Sequence, residues 1–205
     1  MKKIIIASHN PGKLREIARI LEPLGLEAVP QADFGVPEAE EPHVTFIENC
    51  LAKARHASTH TGLPALADDS GICVDALNGA PGVYSARYAG DPRSDARNNQ
   101  KLIESLRGEK NKRAHYYCVM VFVRYPDDPQ PIIAEGVWRG EIIEKPRGTG
   151  GFGYDPHFLV PELNKTGAEL SMDIKNQLSH RGQAMRALAD KLRGEFGQPE
   201  ARSEE

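Results

Sequence analysis

The chain has 205 residues, of which 40% are hydrophobic and 27% charged, with a formal net charge of -3 at pH 7. These values are typical of a globular protein with one substantial core, and they leave no excess positive charge to hold a nucleic-acid backbone. The apolar runs are too short for a secretory signal or a membrane span. We therefore expect a cytoplasmic protein that binds neither nucleic acid nor membrane. The three cysteines (Cys50, Cys73, Cys118) are far apart, which favours buried free thiols.

The chain begins with a predicted strand and helix. The apolar run Ile4–Ala7 predicts a buried strand. Asn10 and Pro11 are residue types preferred at a helix N-cap and at the first helical position, and apolar residues follow at helical spacing. A helix N-terminus offers free backbone N–H groups and a positive dipole end, so this junction suits a phosphate.

A second helix is predicted to begin after Thr45. Thr45 and Glu48 have the spacing of a capping box, and an apolar stripe follows them. Asn49, Lys53 and His56 are spaced four and three residues apart, so they share a different face of this helix. Such a face is most often simply solvated.

The next predicted strand ends at two adjacent carboxylates, Asp68 and Asp69, followed by Ser70. Aspartate, serine and glycine are common turn residues, so a plain turn is one interpretation. The other is a site at a strand end where metal binding and proton transfer meet. The residues of this stretch alone leave both open.

The second half of the chain mixes strands and helices. We predict a helix over 96–106, long strands over 116–125 and 132–143, and a final helix from about Gly182. A hairpin-like stretch in the middle favours a mixed α/β sheet flanked by helices over a purely parallel sheet.

Two familiar phosphate motifs are excluded. Gly148, Gly150 and Gly153 have GxGxxG spacing, but the following residues do not open a helix, so a dinucleotide-binding fold is rejected. The Gly12–Lys13 pair lacks both the upstream glycine and the following Ser or Thr of a P-loop. What remains is a scattered set of cations for phosphates, carboxylates for a hard metal and an aromatic residue for a base.

Five stretches together resemble the Ham1/RdgB family of inosine/xanthosine triphosphate pyrophosphatases. They are "SHNPGKLREI", "EEPHVTFIENCLAKARHA", "LADDSGICVDALNGAPGVYSARYAG", "GTGGFGYDPHF" and "LSHRGQAMRAL", in the family's order, and the resemblance extends from about residue 4 to about residue 193. The resemblance implies a two-lobed α/β protein with the active site in the cleft between the lobes. It also implies a homodimer that uses Mg²⁺ to hydrolyse a nucleoside triphosphate between the α and β phosphates. We expect one domain over 1–195 and a polar tail over 196–205.

The resemblance also implies roles for individual residues. Asp69 would be the general base and a metal ligand, and Glu40 or Glu41 would be the other metal ligand. The expected triphosphate contacts are Ser8, His9, Asn10, Pro11, Gly12, Lys13, Lys53 and Ser70. The expected nucleoside contacts are Phe152, Gly153, Tyr154, Asp155, Lys175, His180 and Arg181.

The substrate nucleotide would be chosen by its base. Cationic or N–H donors from Lys175, His180 and Arg181 would donate hydrogen bonds to the 6-keto oxygen of hypoxanthine or xanthine, and they would disfavour adenine, whose 6-amino group is itself a donor. Phe152 would stack on the base. Two alternatives remain: a Maf-like pyrophosphatase with another base preference, and a nucleotide-binding protein without catalysis. Turnover of ITP against dTTP or UTP separates the first alternative, and pyrophosphate release excludes the second.

Overall fold

The computed structural model describes residues 2–196, which form a seven-stranded sheet with helices on both faces. The strands are β1 (Lys2–Ile6), β2 (Leu26–Pro30), β3 (Ala65–Val74), β4 (Arg113–Val123), β5 (Ile132–Ile142), β6 (Phe158–Val160) and β7 (Lys165–Thr166). The helices are α1 (Pro11–Leu21), α2 (Phe46–Thr61), α3 (Asp95–Ser105), α4 (Met172–Leu178) and α5 (His180–Phe196). The predicted polar tail lies outside the described residues, except for Phe196 at the end of α5.

The sheet is mixed, which confirms the prediction. Its strand order is β2-β1-β3-β4-β5-β6-β7. Strand β1 runs parallel to β2 and β3, whereas every pair from β3 to β7 is antiparallel. The short strands β6 and β7 and the helix α4 were missed by the sequence analysis, because each is too short to show a clear hydrophobic period.

The hydrophobic core is divided between two lobes. In the first lobe, Leu66 and Phe122 face α1 and α5, while Ala67 and Val121 face α2 on the other side of the sheet. In the second lobe, a separate cluster joins the far half of β3 to α3, β5 and β6. Strands β3, β4 and β5 therefore run through both lobes.

Strand β3 continues through the two aspartates, so the strand end predicted there was wrong. Strand β4 pairs with β3 along its whole length, Ala65–Val74, whereas β1 pairs only with Ala65 and Leu66. From Ile72 onward the same edge of β3 is covered by the segment Pro81–Ser85. The polar part of β3 thus lies at a gap in the sheet between these two neighbours, and the candidate site lies at this gap.

The three thiols are free, with Cys50 and Cys118 buried and Cys73 only partly buried. Burial of Cys73 was therefore overestimated from its apolar neighbours. Within residues 2–196, no helix combines the length and the apolar character needed to cross a bilayer.

Candidate active site

The loop between β1 and α1 forms the first wall of the site. Asn10 Oδ1 accepts hydrogen bonds from the amides of Gly12 (2.9 Å) and Lys13 (3.3 Å). Ser8 Oγ accepts one from the Asn10 amide (3.1 Å). The predicted N-cap is confirmed, but the free N–H groups expected for a phosphate are absent at Gly12 and Lys13, because the cap uses both.

Lys13 and Asp68 form a buried ion pair beside this loop. Lys13 Nζ donates to Asp68 Oδ2 at 2.6 Å, and the Asp68 side chain is only 3% exposed. Burial alone would raise the pKa of Asp68, but the charges of Lys13 and Arg181 outweigh it and lower the pKa below its usual value. Asp68 is therefore ionised and already paired, which suits a positioning role and does not suit proton removal.

Asp69 faces the opposite side of the sheet, because successive side chains of a strand alternate. There Lys53 of α2 joins two carboxylates, with its Nζ 2.6 Å from Glu41 Oε1 and 3.4 Å from Asp69 Oδ1. Burial lowers the pKa of the Lys53 ammonium, but the charges of Asp69 and Glu41 outweigh it and raise the pKa. Of the two candidate glutamates, Glu41 lies in the cleft and Glu40 is exposed.

The pKa of Asp69 is unusually high. Burial raises it to about 6, and the charges of Glu41 and Asp68 add to the rise against the attraction of Lys53. Such a carboxylate is ionised at pH 7 and still basic enough to accept a proton. Glu41, which is distant in the sequence, raises the pKa of Asp69 more than the adjacent Asp68 does.

A polar cavity of about 340 Å³ opens between the β1–α1 loop, α2 and the segment after β3. Its lining includes these residues predicted from the sequence: Ser8, His9, Lys13, Glu41 and Lys53. Asp68 also lines it. Asn10, Pro11 and Gly12 belong to the adjoining helix cap, and the Ser70 amide donates to Asp69 Oδ1 at 3.1 Å.

The glycine-rich loop is held in place by Asp155. The Phe152 amide donates to Asp155 Oδ2 (2.9 Å), the Tyr116 hydroxyl donates to Oδ1 (3.3 Å), and Lys175 forms a buried ion pair with the same carboxylate. Gly151 has φ +69°, and a Cβ there would lie 2.1 Å from Asp155 Oδ2. Asp155 therefore has its partners inside the protein and positions the loop.

Of the other residues of this loop, Phe152 is exposed, whereas Gly153 and Tyr154 form hydrogen bonds inside the protein. The Phe152 ring is exposed (59%), and the Lys175 ammonium lies 4.6 Å from its centroid. Tyr154 is buried, and its hydroxyl donates to the Ser85 carbonyl at 2.7 Å. The amide of Gly153 donates to a side chain of α3. Phe152 is thus free to stack on a ligand, whereas Tyr154 and Gly153 anchor the loop.

His180 and Arg181 are the first residues of α5, although the sequence placed the helix start at about Gly182. Ser179 Oγ accepts a hydrogen bond from the Gly182 amide at 3.2 Å, as an N-cap does. The serine before His180 was the signal that the sequence analysis overlooked.

His180 is a neutral donor or acceptor and not a cation. Its ring stacks on Tyr116 with centroids 4.8 Å apart. Burial lowers the pKa of His180 to about 3, and the charges of Arg181 and Lys175 act in the same direction. Its Nδ1 and the Nε of Arg181 are buried and have no hydrogen-bond partner within residues 2–196, so both remain available to a ligand.

A second cavity, of about 550 Å³, lies between α1, the glycine-rich loop, α4 and α5. We call it the Phe152 cavity, since Phe152, Lys175, His180 and Arg181 line it. The two cavities adjoin along α1. Lys13 in the first turn of this helix lines the polar cavity, and the next turn lines the Phe152 cavity. Arg181 lines the Phe152 cavity, and its charge lowers the pKa of Asp68, which lines the polar cavity.

Comparison with known proteins agrees with this arrangement. A sequence model of the Ham1 family matches residues 4–191. The chain belongs to the Ham1 family. The resemblance inferred from the five stretches is thereby confirmed.

Two relatives in this family are similar over nearly their whole length. A protein of Nitrosomonas europaea named dITP/XTP pyrophosphatase is 66% identical over 94% of this chain and 95% of its own. A protein of Ralstonia nicotianae with the same name is 64% identical, over 94% of this chain and 98% of its own.

Solved structures of Ham1 proteins have the same fold. A Ham1 protein from Coxiella burnetii superposes with a TM-score of 0.93 at 48% identity, covering 95% of this chain and all (100%) of its own. A protein from Mycobacterium abscessus is described as a nucleoside-triphosphatase and dITP/XTP pyrophosphatase. It superposes with a TM-score of 0.78 at 43% identity, covering 91% of this chain and 98% of its own. The mixed α/β fold predicted for the family, a sheet flanked by helices, is confirmed.

Three residues of the polar cavity were missed by the sequence analysis: Gln31, Glu38 and Arg87. Gln31 is buried, and its Nε2 lies 3.1 Å from His9 Nε2. His9 Nε2 also lies 3.9 Å from Glu38 Oε1. Gln31 begins a short 3₁₀ helix, Gln31–Phe34, and Glu38 lies in a loop, and neither segment has a recognisable sequence pattern. Arg87 stands inside one of the five family-like stretches, so a signal for it existed.

Replacing Lys13 by methionine is expected to reduce the free energy of unfolding by roughly 3 kcal/mol at pH 7, because Asp68 would remain buried without its partner. The loss should shrink in acid, since Asp68 in the variant regains a proton at higher pH than in the wild type. Urea unfolding at pH 7 and pH 5 measures both effects. The exposed Lys110→Met is the control, and Lys13→Met/Asp68→Asn should recover stability. Equal stability of Lys13→Met and Lys110→Met would contradict the assignment.

Proposed function

We propose that this Ham1-family protein hydrolyses ITP, dITP and XTP to the nucleoside monophosphate and pyrophosphate, which removes deaminated purines from the nucleotide pool. The observation that carries the proposal is the pair of adjoining cavities. One contains cations and carboxylates for a triphosphate, and the other offers the exposed Phe152 ring and unpartnered donors for a purine. The names of the two bacterial relatives support the substrate class.

In the proposed reaction, Asp69 accepts a proton from the attacking water. The new P–O bond forms as the α–β phosphoanhydride bond breaks, and pyrophosphate leaves with the bridging oxygen. A pKa of about 6 makes Asp69 a base at neutral pH. Lys53 holds Asp69 in place, and Lys53 and Lys13 neutralise charge on the phosphates.

Glu41 and Asp69 suit a divalent cation, since together they offer oxygen ligands without Cys or His. Within residues 2–196, no three acidic, His or Cys side chains form a closed metal cage. Two carboxylates are sufficient for Mg²⁺, which keeps several water ligands. When bound, Mg²⁺ would spread the charge of the triphosphate and make a bound water more acidic.

Pyrophosphate release from dITP is expected to require Mg²⁺, to continue in part with Mn²⁺ and to stop with excess EDTA. Glu41→Gln should raise the Mg²⁺ concentration needed for half-maximal activity, since the variant loses a charged ligand. The neighbouring, exposed Glu40→Gln is the matched control and should leave it unchanged. A pyrophosphate assay across a Mg²⁺ titration tests both statements. Release in EDTA, or zinc-dependent release that survives magnesium removal, would contradict them.

We further propose that the protein is a cytoplasmic homodimer. Both statements rest on the family resemblance, and the free thiols support a reducing compartment. Light scattering of the purified protein would measure the mass of the assembly.

A further inference from the structure

The charges that line the polar cavity leave one cation without a partner. Three cations, Lys13, Lys53 and Arg87, face three carboxylates, Glu38, Glu41 and Asp68. Lys13 and Lys53 each contact a carboxylate at 2.6 Å. Within residues 2–196 the guanidinium of Arg87 has no carboxylate within 4.0 Å and no hydrogen bond, and it lies 5.9 Å from the centroid of the Tyr84 ring.

The backbone that carries Arg87 is nevertheless firmly anchored. Arg87 is the last residue of a 3₁₀ helix, Gly82–Arg87. This helix and the β1–α1 loop lie on opposite sides of the gap in the sheet beside β3. Ser85 Oγ accepts from the Ile72 amide (2.9 Å), and Asn98 Nδ2 of α3 donates to the Ala86 carbonyl (3.0 Å). The structure therefore fixes the Cα of Arg87, while its exposed side chain lines the cavity.

An unpaired arginine in this position suits phosphate chemistry. A guanidinium can bind two phosphate oxygens at once, which a lysine ammonium cannot do with the same geometry. The lining has three cations and three carboxylates only when Arg87 is counted, so without Arg87 it would carry a net negative charge that disfavours a triphosphate. A bound divalent cation would offset Glu41 and Asp69, and Arg87 supplies the remaining unpaired positive charge.

The position of Arg87 indicates which end of the substrate it meets. Lys13 lines the polar cavity, and Glu16, the next turn of α1, lines the Phe152 cavity, so the nucleoside end of the substrate lies on the Lys13 side. Arg87 lines the polar cavity and is not part of the Phe152 cavity. We propose that Arg87 is a substrate-binding residue that holds the β and γ phosphates from the second lobe and remains on the pyrophosphate after cleavage. This inference rests on the proposed function.

Direct binding of the two products tests the proposal without turnover. Titration calorimetry with Mg²⁺-pyrophosphate and with IMP should show that Arg87→Ala weakens pyrophosphate binding by about tenfold or more and leaves IMP binding unchanged. Arg87→Lys should recover part of the loss, and Arg113→Ala, an exposed arginine away from both cavities, should behave as wild type. In steady state, Arg87→Ala should raise KM for dITP.

Two results would overturn the proposal: unchanged pyrophosphate affinity in Arg87→Ala, or equal weakening of IMP and pyrophosphate. Failure of the proposed function looks different, because the wild-type protein would then release no pyrophosphate from dITP whatever the behaviour of Arg87→Ala.

Discussion

Asp69→Asn is expected to lower kcat for dITP by about 10² to 10⁴ while leaving the fold intact. Asparagine keeps the size of the side chain and a hydrogen bond to Lys53, but it cannot accept the proton of the attacking water. It also removes one of the two carboxylates offered to the metal, so the loss should lie toward the upper end of that range. Steady-state pyrophosphate release and urea unfolding, measured on the same preparation, separate catalysis from stability.

The pH dependence provides a second readout on Asp69. Because the base must be ionised, wild-type kcat/KM should rise with pH and level off above the pKa of Asp69. That pKa is about 6 in the protein alone, and a bound cation lowers it. The residual activity of Asp69→Asn should lack this inflection. Asp75→Asn, an exposed aspartate just beyond β3, is the control. Near-wild-type turnover in Asp69→Asn would rule out Asp69 as the base.

Arg181→Ala is expected to lower kcat/KM for ITP by roughly tenfold to a hundredfold and to change the value for ATP much less. The buried Nε of Arg181 has no partner in residues 2–196, so it is available to the 6-keto oxygen of hypoxanthine. A hydrogen bond from a charged donor contributes about 1.5–3 kcal/mol, and the 6-amino group of adenine sets donor against donor. The ratio of kcat/KM for ITP to that for ATP is the measurement.

Arg186→Ala is a matched control for this experiment. Arg186 lies on the same helix and lines the same cavity, but its guanidinium already donates to the carbonyls of Asn176 (3.1 Å) and Gln177 (2.6 Å). Its removal should leave the ratio unchanged. If Arg181→Ala also leaves it unchanged, base selection would lie in the backbone groups of the Phe152–Asp155 loop.

Features set by neighbouring residues could be predicted from the sequence. The Asn10 cap and the start of α2 after Thr45 depend on contacts within a few residues, and both are present in the structure. The grouping of Lys13 and Lys53 around one cavity was predicted through the family resemblance, whereas the place of Asp68 in it was not. Hydrophobic spacing alone would have left Lys53 on a solvated helix face.

Features set by distant contacts could not be predicted. Strand β3 passes through Asp68 and Asp69 because β4 pairs along its whole length, and no local residue signals that pairing. The neutral state of His180 depends on burial against Tyr116, and the support role of Asp155 depends on Lys175 and Tyr116. The place of Arg87 in the polar cavity also depends on the fold, although its position in a family-like stretch was a signal.

The most direct measurement is product analysis of the wild-type protein with Mg²⁺ and each of ITP, dITP, XTP, GTP, ATP, dTTP and UTP. Phosphorus NMR identifies the products, and initial rates give kcat/KM for each nucleotide. We expect monophosphate and pyrophosphate from ITP, dITP and XTP, with kcat/KM exceeding that for ATP and GTP by about 10² or more, since unpaired buried donors discriminate strongly. Diphosphate and inorganic phosphate as products, or equal turnover of ITP and ATP, would contradict the proposed function.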